Sequence, residues 1–101
     1  MNIDNIIKFF KENESKHPDD SRQIIKNKNN VMYGNEIGVV LSNVESKIFE
    51  VFIHAKINGE VISQILYSTF NNINEAIEYY NRLEQYIIDF DIKGIVSEIN
   101  N

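Results

Sequence analysis

The pattern of apolar and polar positions divides the chain into a helical beginning, a strand-rich middle and a helical end. Apolar residues at positions 3, 6, 7 and 10 recur at the spacing of one helix face. They predict a first helix over residues 3–14. We expect that helix to end before Pro18, because the residue that precedes a proline is pushed out of the helical region of backbone angles.

Pro18 opens a second segment whose charges follow the dipole of a helix. Asp19 and Asp20 come directly after the proline, and Lys26 and Lys28 stand at the far end. Acids at the start and bases at the end are the arrangement that a helix macrodipole favours, and proline suits the first helical turn. These features predict a short second helix, followed by a polar connector as far as residue 30.

In the middle of the chain, the pattern of apolar residues is typical of β-strands. Alternating apolar residues at 37, 39 and 41 predict a first strand, and residues 47–57 and 61–70 predict a second and a third. Between the last two stands Asn58-Gly59, the dipeptide of a type I′ hairpin turn. The three strands are therefore expected to form an antiparallel meander.

A two-residue turn at Asn58-Gly59 also predicts the register of this hairpin, by counting back from the pair 57/60. Phe52 then lies opposite Ile65 on one face of the sheet, and Val51 lies opposite Leu66 on the other.

The last third of the chain predicts a long helix that packs on the sheet. Asn72 is a suitable cap, with Glu75 at the third helical position. An apolar stripe continues to residue 87, and Gly94 is expected to end the helical region. Residues 95–99 fit a short last helix or an edge strand. The predicted fold class is α+β in the order ααβββα, one domain over residues 1–101: a three-stranded antiparallel meander with two short N-terminal helices and a long C-terminal helix.

Composition narrows the classes of function. The 101 residues contain no cysteine, which excludes disulfides, thiolate metal sites and cysteine nucleophiles. No leader sequence and no apolar run of ~18–20 residues is seen, so a cytoplasmic protein without a membrane partner is predicted. The net charge is −5, and residues 71–101 hold six acids but two bases. Acidity at that end disfavours nucleic acid as a partner.

His54 is the best-placed residue for acid–base chemistry, because the predicted register puts it on one face with Glu50 and Ser63. Glu50 nevertheless lies four residues along the strand, roughly 13 Å away, too far to orient the imidazole. His17 with Asp19 and Asp20 lacks the convergent geometry of a metal site. We therefore predict no catalytic, cofactor or metal site, and a small hydrolase centred on His54 is the least favoured alternative.

A second alternative is a weak nucleic-acid-binding accessory or regulatory protein. It would use the basic residues of the first two thirds of the chain, namely Arg22, Lys26, Lys28, Lys47 and Lys56. Only the first three form a cluster, and three phosphate contacts give weak, salt-sensitive binding.

The face of the sheet that bears Phe52 is the main functional clue. With Ile65 and Tyr67 it is more apolar than a solvated antiparallel face should be. It is expected to be covered by the N-terminal helices, by a second copy of the chain or by another protein. The candidate interface residues are Phe52, Ile65 and Tyr67 on the sheet and Glu75, Glu78 and Asp89 on or beside the last long helix.

The first seven residues, Met1-Asn2-Ile3-Asp4-Asn5-Ile6-Ile7, resemble the opening of a small phage-encoded family of anti-CRISPR inhibitors. That family is short, acidic and cysteine-free, and it combines a three-stranded sheet with helices. The resemblance implies an inhibitor from a mobile element. Together with the apolar face, it predicts a non-enzymatic protein-interaction module, an inhibitor or immunity-type factor that docks on a protein.

Overall fold

A computed structural model describes residues 2–17 and 22–101, which form one antiparallel sheet and three helices. The strands are ordered β1-β2-β3-β4, each paired with its neighbour in sequence. The elements in chain order are α1 (Ile3–Glu12), β1 (Gln23–Met32), β2 (Asn35–Glu45), β3 (Ile48–Ile57), β4 (Glu60–Phe70), α2 (Ile73–Ile88) and α3 (Ile92–Asn100). The α+β class and the antiparallel meander are confirmed, but the sheet has four strands rather than three.

The additional strand replaces the predicted second helix and the polar connector. Pro18, at the start of that helix, lies outside the described residues, whereas Lys26 and Lys28, at its end, lie within β1. The prediction of a helix there is wrong. Alternation of apolar and polar residues reveals a strand when one of its faces is buried, and nine of the ten residues of β1 are exposed. Such a strand has no hydrophobic pattern to detect.

Two of the three hairpins close through turns with a left-handed residue followed by glycine. The predicted turn is confirmed: Asn58 has φ 51°, Gly59 has φ 81°, and Ile57 pairs with Glu60. The β1–β2 hairpin closes in the same way through Tyr33 (φ 51°) and Gly34 (φ 77°). Positive φ at both central positions is the requirement of a type I′ turn.

The predicted register of β3 with β4 holds only near the turn. Two irregularities in β4 shift the pairing, so that Ile53 pairs with Ile65 and Val51 pairs with Ser68. The pairs Phe52/Ile65 and Val51/Leu66 are therefore wrong. A bulge adds one unpaired residue to a strand and moves every later residue of the pairing by one. Counting from a turn cannot detect such an insertion.

The helices begin at the capping residues that their sequences offer. The side chain of Asn2 accepts from the backbone N–H of Asn5 at the start of α1. Asn72 caps α2 as predicted, since its side chain accepts from the N–H groups of residues 74 and 75. Asp91 starts α3 by accepting from the N–H of Gly94 at 2.8 Å. Gly94 therefore lies inside α3 and does not end a helix. A Cβ at this position would collide with the Asp91 carboxylate.

One face of the sheet and the helices enclose the main core. Helix α2 lies across the sheet and contacts all four strands, while α1 packs beside β4. The fully buried side chains of this core include Phe10 from α1, Ile37, Val39, Leu41, Val51, Ile53, Ile62 and Ile65 from the sheet, Tyr80, Leu83 and Ile87 from α2, and Ile95 from α3. The opposite face of the sheet, here called the second face, carries Val40 and Phe52, which lie outside this core cluster.

Candidate functional site

The structure separates the three sheet residues that were predicted to form an interface. Ile65 has no exposed surface and belongs to the main core. Phe52 lies on the second face but is only 5 % exposed. Tyr67 is half-buried, and its ring is 6.3 Å from the Phe52 ring. The predicted sheet interface is thus not a free surface.

The cover of Phe52 and Tyr67 comes from the chain itself. Residues 14–17, here called the N-terminal strap, run from the end of α1 across β4. Ser15 donates from its backbone N–H to the carbonyl of Gln64 at 2.6 Å, and the Gln64 side chain bonds to both backbone groups of His17. The His17 ring stacks on Tyr67 with 4.1 Å between centroids. Cover by the N-terminal part of the chain was among the predicted alternatives, but a strap and not a helix provides it.

A buried carboxylate, Glu50, anchors the second face beneath this cover. It is 2 % exposed and ion-paired with Arg22. Ser42 and Tyr67 donate to its two oxygens at 2.9 and 2.6 Å. Burial and the hydrogen bond to Glu50 raise the pKa of Tyr67 to about 12. The Arg22 guanidinium also lies over the Phe52 ring at 4.7 Å. These contacts make Glu50 a structural anion, with both oxygens engaged.

His54 occupies a different part of the second face. Its ring lies against Gly38, where a Cβ would collide with Nε2 and with the Asn29 side chain. Burial lowers the pKa of His54, and Glu36 partly offsets this effect. Glu50 is bound elsewhere, so the structure does not assemble the acid–base set drawn from His54, Ser63 and Glu50.

The predicted acidic contacts on α2 are exposed. Glu75 and Glu78 line an open groove of about 440 Å³, together with Phe70, Tyr79 and Arg82. The Arg82 guanidinium lies over the Tyr79 ring and pairs with Glu98 on α3 at 2.8 Å.

The third predicted acidic contact, Asp89, caps the C-terminal end of α2. It accepts a hydrogen bond from Gln85 at 3.0 Å. Like Glu75 and Glu78 it is exposed, and it lies at the opposite end of the helix from them.

The five basic residues of the nucleic-acid alternative do not converge. Lys26 and Lys28 share one face of β1, because their partners Leu41 and Val39 both face the main core. Arg22 is paired on the second face. Lys47 lies in the turn before β3 and Lys56 near the end of that strand, roughly 30 Å apart at ~3.3 Å per residue.

The surface that sequence reasoning missed is the outer edge of β1, here called the open edge. Within residues 2–17 and 22–101, the backbone of β1 hydrogen-bonds to β2 alone. Alternate residues of an edge strand point both N–H and C=O away from the sheet. Apolar side chains accompany them: Ile24, Ile25, Val31 and Met32 are between 43 and 62 % exposed. The only sequence signals for this strand were the isoleucine pair and the glycine at position 34.

Tyr33 extends the open edge to the tip of its hairpin. Its side chain is 96 % exposed, the highest value among the exposed large apolar side chains of the described residues. It also occupies a left-handed position, at φ 51°, where asparagine, aspartate or glycine is favoured. A large aromatic ring is held in water at a position that a smaller residue would suit better.

Comparison with family models, with curated proteins and with solved structures gives no match. Among the described residues, none of the helices combines the length and apolar character needed to cross a membrane. The same part of the chain holds no group of three or more histidine or acidic side chains placed to bind a metal ion.

Proposed function

We propose that the chain is a non-enzymatic protein-interaction module whose docking surface is the open edge of β1. The single observation that carries this proposal is the exposure of that strand: nine of its ten residues are exposed, and four of the exposed side chains along its edge are apolar. A strand of this kind is a template for an extended segment of another protein, because the sheet's ladder of hydrogen bonds continues into the bound segment.

The second face supports this choice by being closed. Phe52 and Tyr67 are covered by the strap and by Arg22, so a partner would have to displace the chain's own contacts to reach them. At the outer edge of β1, a partner would displace no backbone hydrogen bond among the described residues. The contacts predicted for Glu75, Glu78 and Asp89 remain part of the proposal, because all three carboxylates are exposed.

The finer assignment, an inhibitor or immunity-type factor of a phage or mobile element acting in the cytoplasm, belongs to the same proposal. It is supported by the resemblance of the first seven residues to the anti-CRISPR inhibitors. An inhibitor needs a docking surface and no catalytic set. In support, the set of His54, Ser63 and Glu50 is not assembled, since both oxygens of Glu50 are engaged in structural contacts away from His54.

The proposal is tested by selecting binders from a random peptide display library, with two proline variants as controls. In an antiparallel ladder adjacent residues point their N–H groups to opposite sides. Of Asn27→Pro and Lys28→Pro, one therefore removes a bond to β2 and the other removes only an outward N–H group. Thermal unfolding identifies the variant that keeps the fold.

We expect peptides selected on the native chain to lose binding to the folded proline variant. As a matched surface control, Lys93→Ala on α3 should bind them unchanged, because Lys93 is exposed and distant in sequence from β1. Binders that are indifferent to both prolines, or a library that yields none, would overturn the proposal.

A further inference from the structure

We infer that the open edge of β1 accepts an extended acidic segment of another protein, with carboxylates two residues apart, and not a second copy of this chain. This inference rests on the proposed function and specifies its partner. The observation behind it is the charge of the edge. Residues 22–33 contain Arg22, Lys26 and Lys28 and no acid, in a chain whose net charge is −5.

The two lysines are placed to meet a neighbouring strand. Both project from the same face of β1, two residues apart, and both are exposed. In the part of the chain that the structure describes, neither ammonium group is within ion-pair distance of a carboxylate. Lys26 also lies over the ring of Tyr80 of α2, with Nζ 5.1 Å from the centroid.

The spacing of the lysines dictates the spacing of the acids that would pair with them. Residues i and i+2 of a strand share a face and lie roughly 6.6 Å apart. A bound strand therefore places two carboxylates opposite Lys26 and Lys28 when they occupy positions i and i+2. Acids at i and i+1 would point to opposite faces, and only one of them could meet a lysine.

The same geometry disfavours a second copy that pairs about Lys26, Asn27 or Lys28. Residues directly opposite in an antiparallel pair share a face, so two β1 strands centred on Asn27 would place Lys26 against Lys28 twice. Moving the centre to Lys26 or to Lys28 sets that lysine against itself. Like charges directly opposite destabilise a strand pair, and lysines on exposed edges are a common means of preventing self-association.

The side chains on the other face of β1 indicate which residues suit the rest of the bound segment. There Asn27 and Asn29 occupy the centre, between the exposed apolar side chains of Ile24 and Val31. This face suits polar or β-branched residues in the middle of the bound strand and apolar residues towards its ends.

The test uses three synthetic peptides of equal length. The first is built from Thr, Val and two Glu at positions i and i+2. The second is an isomer with the two Glu at i and i+1, and the third is a copy of the first with Lys in place of Glu. Each is titrated into the ¹⁵N-labelled chain at ~50 mM and ~300 mM salt. We expect the first peptide to shift amide signals of β1 and to bind about tenfold more tightly than the other two. Salt should reduce that advantage, because exposed pairs are screened.

A charge-reversed variant sharpens the test. Lys26→Glu with Lys28→Glu should reverse the preference, so that the lysine peptide binds more tightly than the glutamate peptide. The matched control is Lys56→Glu with Lys93→Glu, which changes the net charge equally at two exposed lysines outside β1. The preference for the glutamate peptide should survive there, because Lys26 and Lys28 are unchanged in this control.

The outcomes separate this inference from the proposed function. Equal binding of the lysine and glutamate peptides at β1 would overturn the acidic partner and leave the docking edge in place. Concentration-dependent dimers in sedimentation that disappear in the folded proline variant would overturn the choice of another protein over a second copy. If none of the peptides shifts β1, the inference fails, whereas the proposed function is judged independently by the library selection.

Discussion

Within the described residues, the outer edge of β4 is covered by other parts of the chain, whereas the outer edge of β1 is not. The outer edge of β4 is bonded by the chain itself: Ser63 donates its backbone N–H to Glu14 at 2.5 Å, and the Gln64 carbonyl accepts from Ser15. Tyr79 of α2 donates to the carbonyl of Leu66 at 2.8 Å. The edge of β1 has no comparable cover within the described residues.

Within the described residues, the chain therefore protects the edge of β4 and leaves the edge of β1 uncovered. Helix α1 and the strap, two bulges and a left-handed residue at Leu66 all interrupt β4 as a template for another strand. On β1 there is one irregularity, next to Ile25, and the lysines are the only charges. Protection of one edge and exposure of the other are what a strand-docking module requires.

Removal of the cover of β4 should have the largest effect. Phe10 carries α1 into the core and is fully buried, so Phe10→Ala should lower the free energy of unfolding by about 3–5 kcal/mol. The matched change at the other edge, Val31→Thr, should stay within about 0.5 kcal/mol, because Val31 is 62 % exposed. Urea unfolding measures both. Similar losses for the two variants would mean that the β1 edge is buried after all.

The anchor of the second face should give the next largest effect. Glu50→Gln removes the buried charge that Arg22 faces and weakens the bonds from Ser42 and Tyr67. We expect a loss of about 3 kcal/mol in the free energy of unfolding.

The control for Glu50 is the exposed ion pair between Lys11 of α1 and Glu60 of β4, at 2.7 Å. Glu60→Gln should leave stability unchanged within error, because solvent screens such pairs. An equal response of Glu50→Gln and Glu60→Gln in chemical unfolding would contradict the buried anchor.

The two glycine-containing turns should give the smallest effects, of opposite sign. Tyr33→Asn gives the β1–β2 turn an asparagine, as at Asn58 in the β3–β4 turn. Because asparagine tolerates positive φ better than tyrosine, this change should raise the free energy of unfolding by about 0.5–1 kcal/mol. Asn58→Tyr should lower it by a similar amount.

Thermal and urea unfolding of the two turn variants would measure these changes, and peptide binding to Tyr33→Asn would show whether the ring contributes to docking. A destabilised Tyr33→Asn variant would show that the Tyr33 side chain stabilises the hairpin despite its exposure.

Local signals in the sequence predicted those elements whose causes are local. The Asn58-Gly59 turn, the Asn72 cap and the apolar stripes of α1 and α2 are encoded within a few residues, and all were recovered. The strand β1 was mistaken for a helix because it buries almost nothing. Its sequence therefore lacks the alternation of apolar and polar residues that marks a strand with one buried face. Charges that suit a helix dipole were present there, but pairing with β2 prevails over such weak preferences.

The interface residues illustrate the same limit. Counting from the turn assigned Phe52 and Ile65 to one face, but the two shifts in β4 send Ile65 into the core. A bulge depends on how distant side chains pack, which the residues nearby do not specify. The stacking of His17 on Tyr67 and of Arg22 on Phe52 joins parts of the chain 30 or more residues apart, so no local pattern could reveal it.

By itself, the sequence determined the α+β class, the central hairpin, the helix caps, the absence of cysteine chemistry and the placement of charge, because each depends on residue type or short spacing. Only the tertiary structure decided which edge is covered, which face is closed and which residues remain for a partner. Those properties arise from contacts between remote segments, and among the described residues these contacts leave the open edge of β1 uncovered.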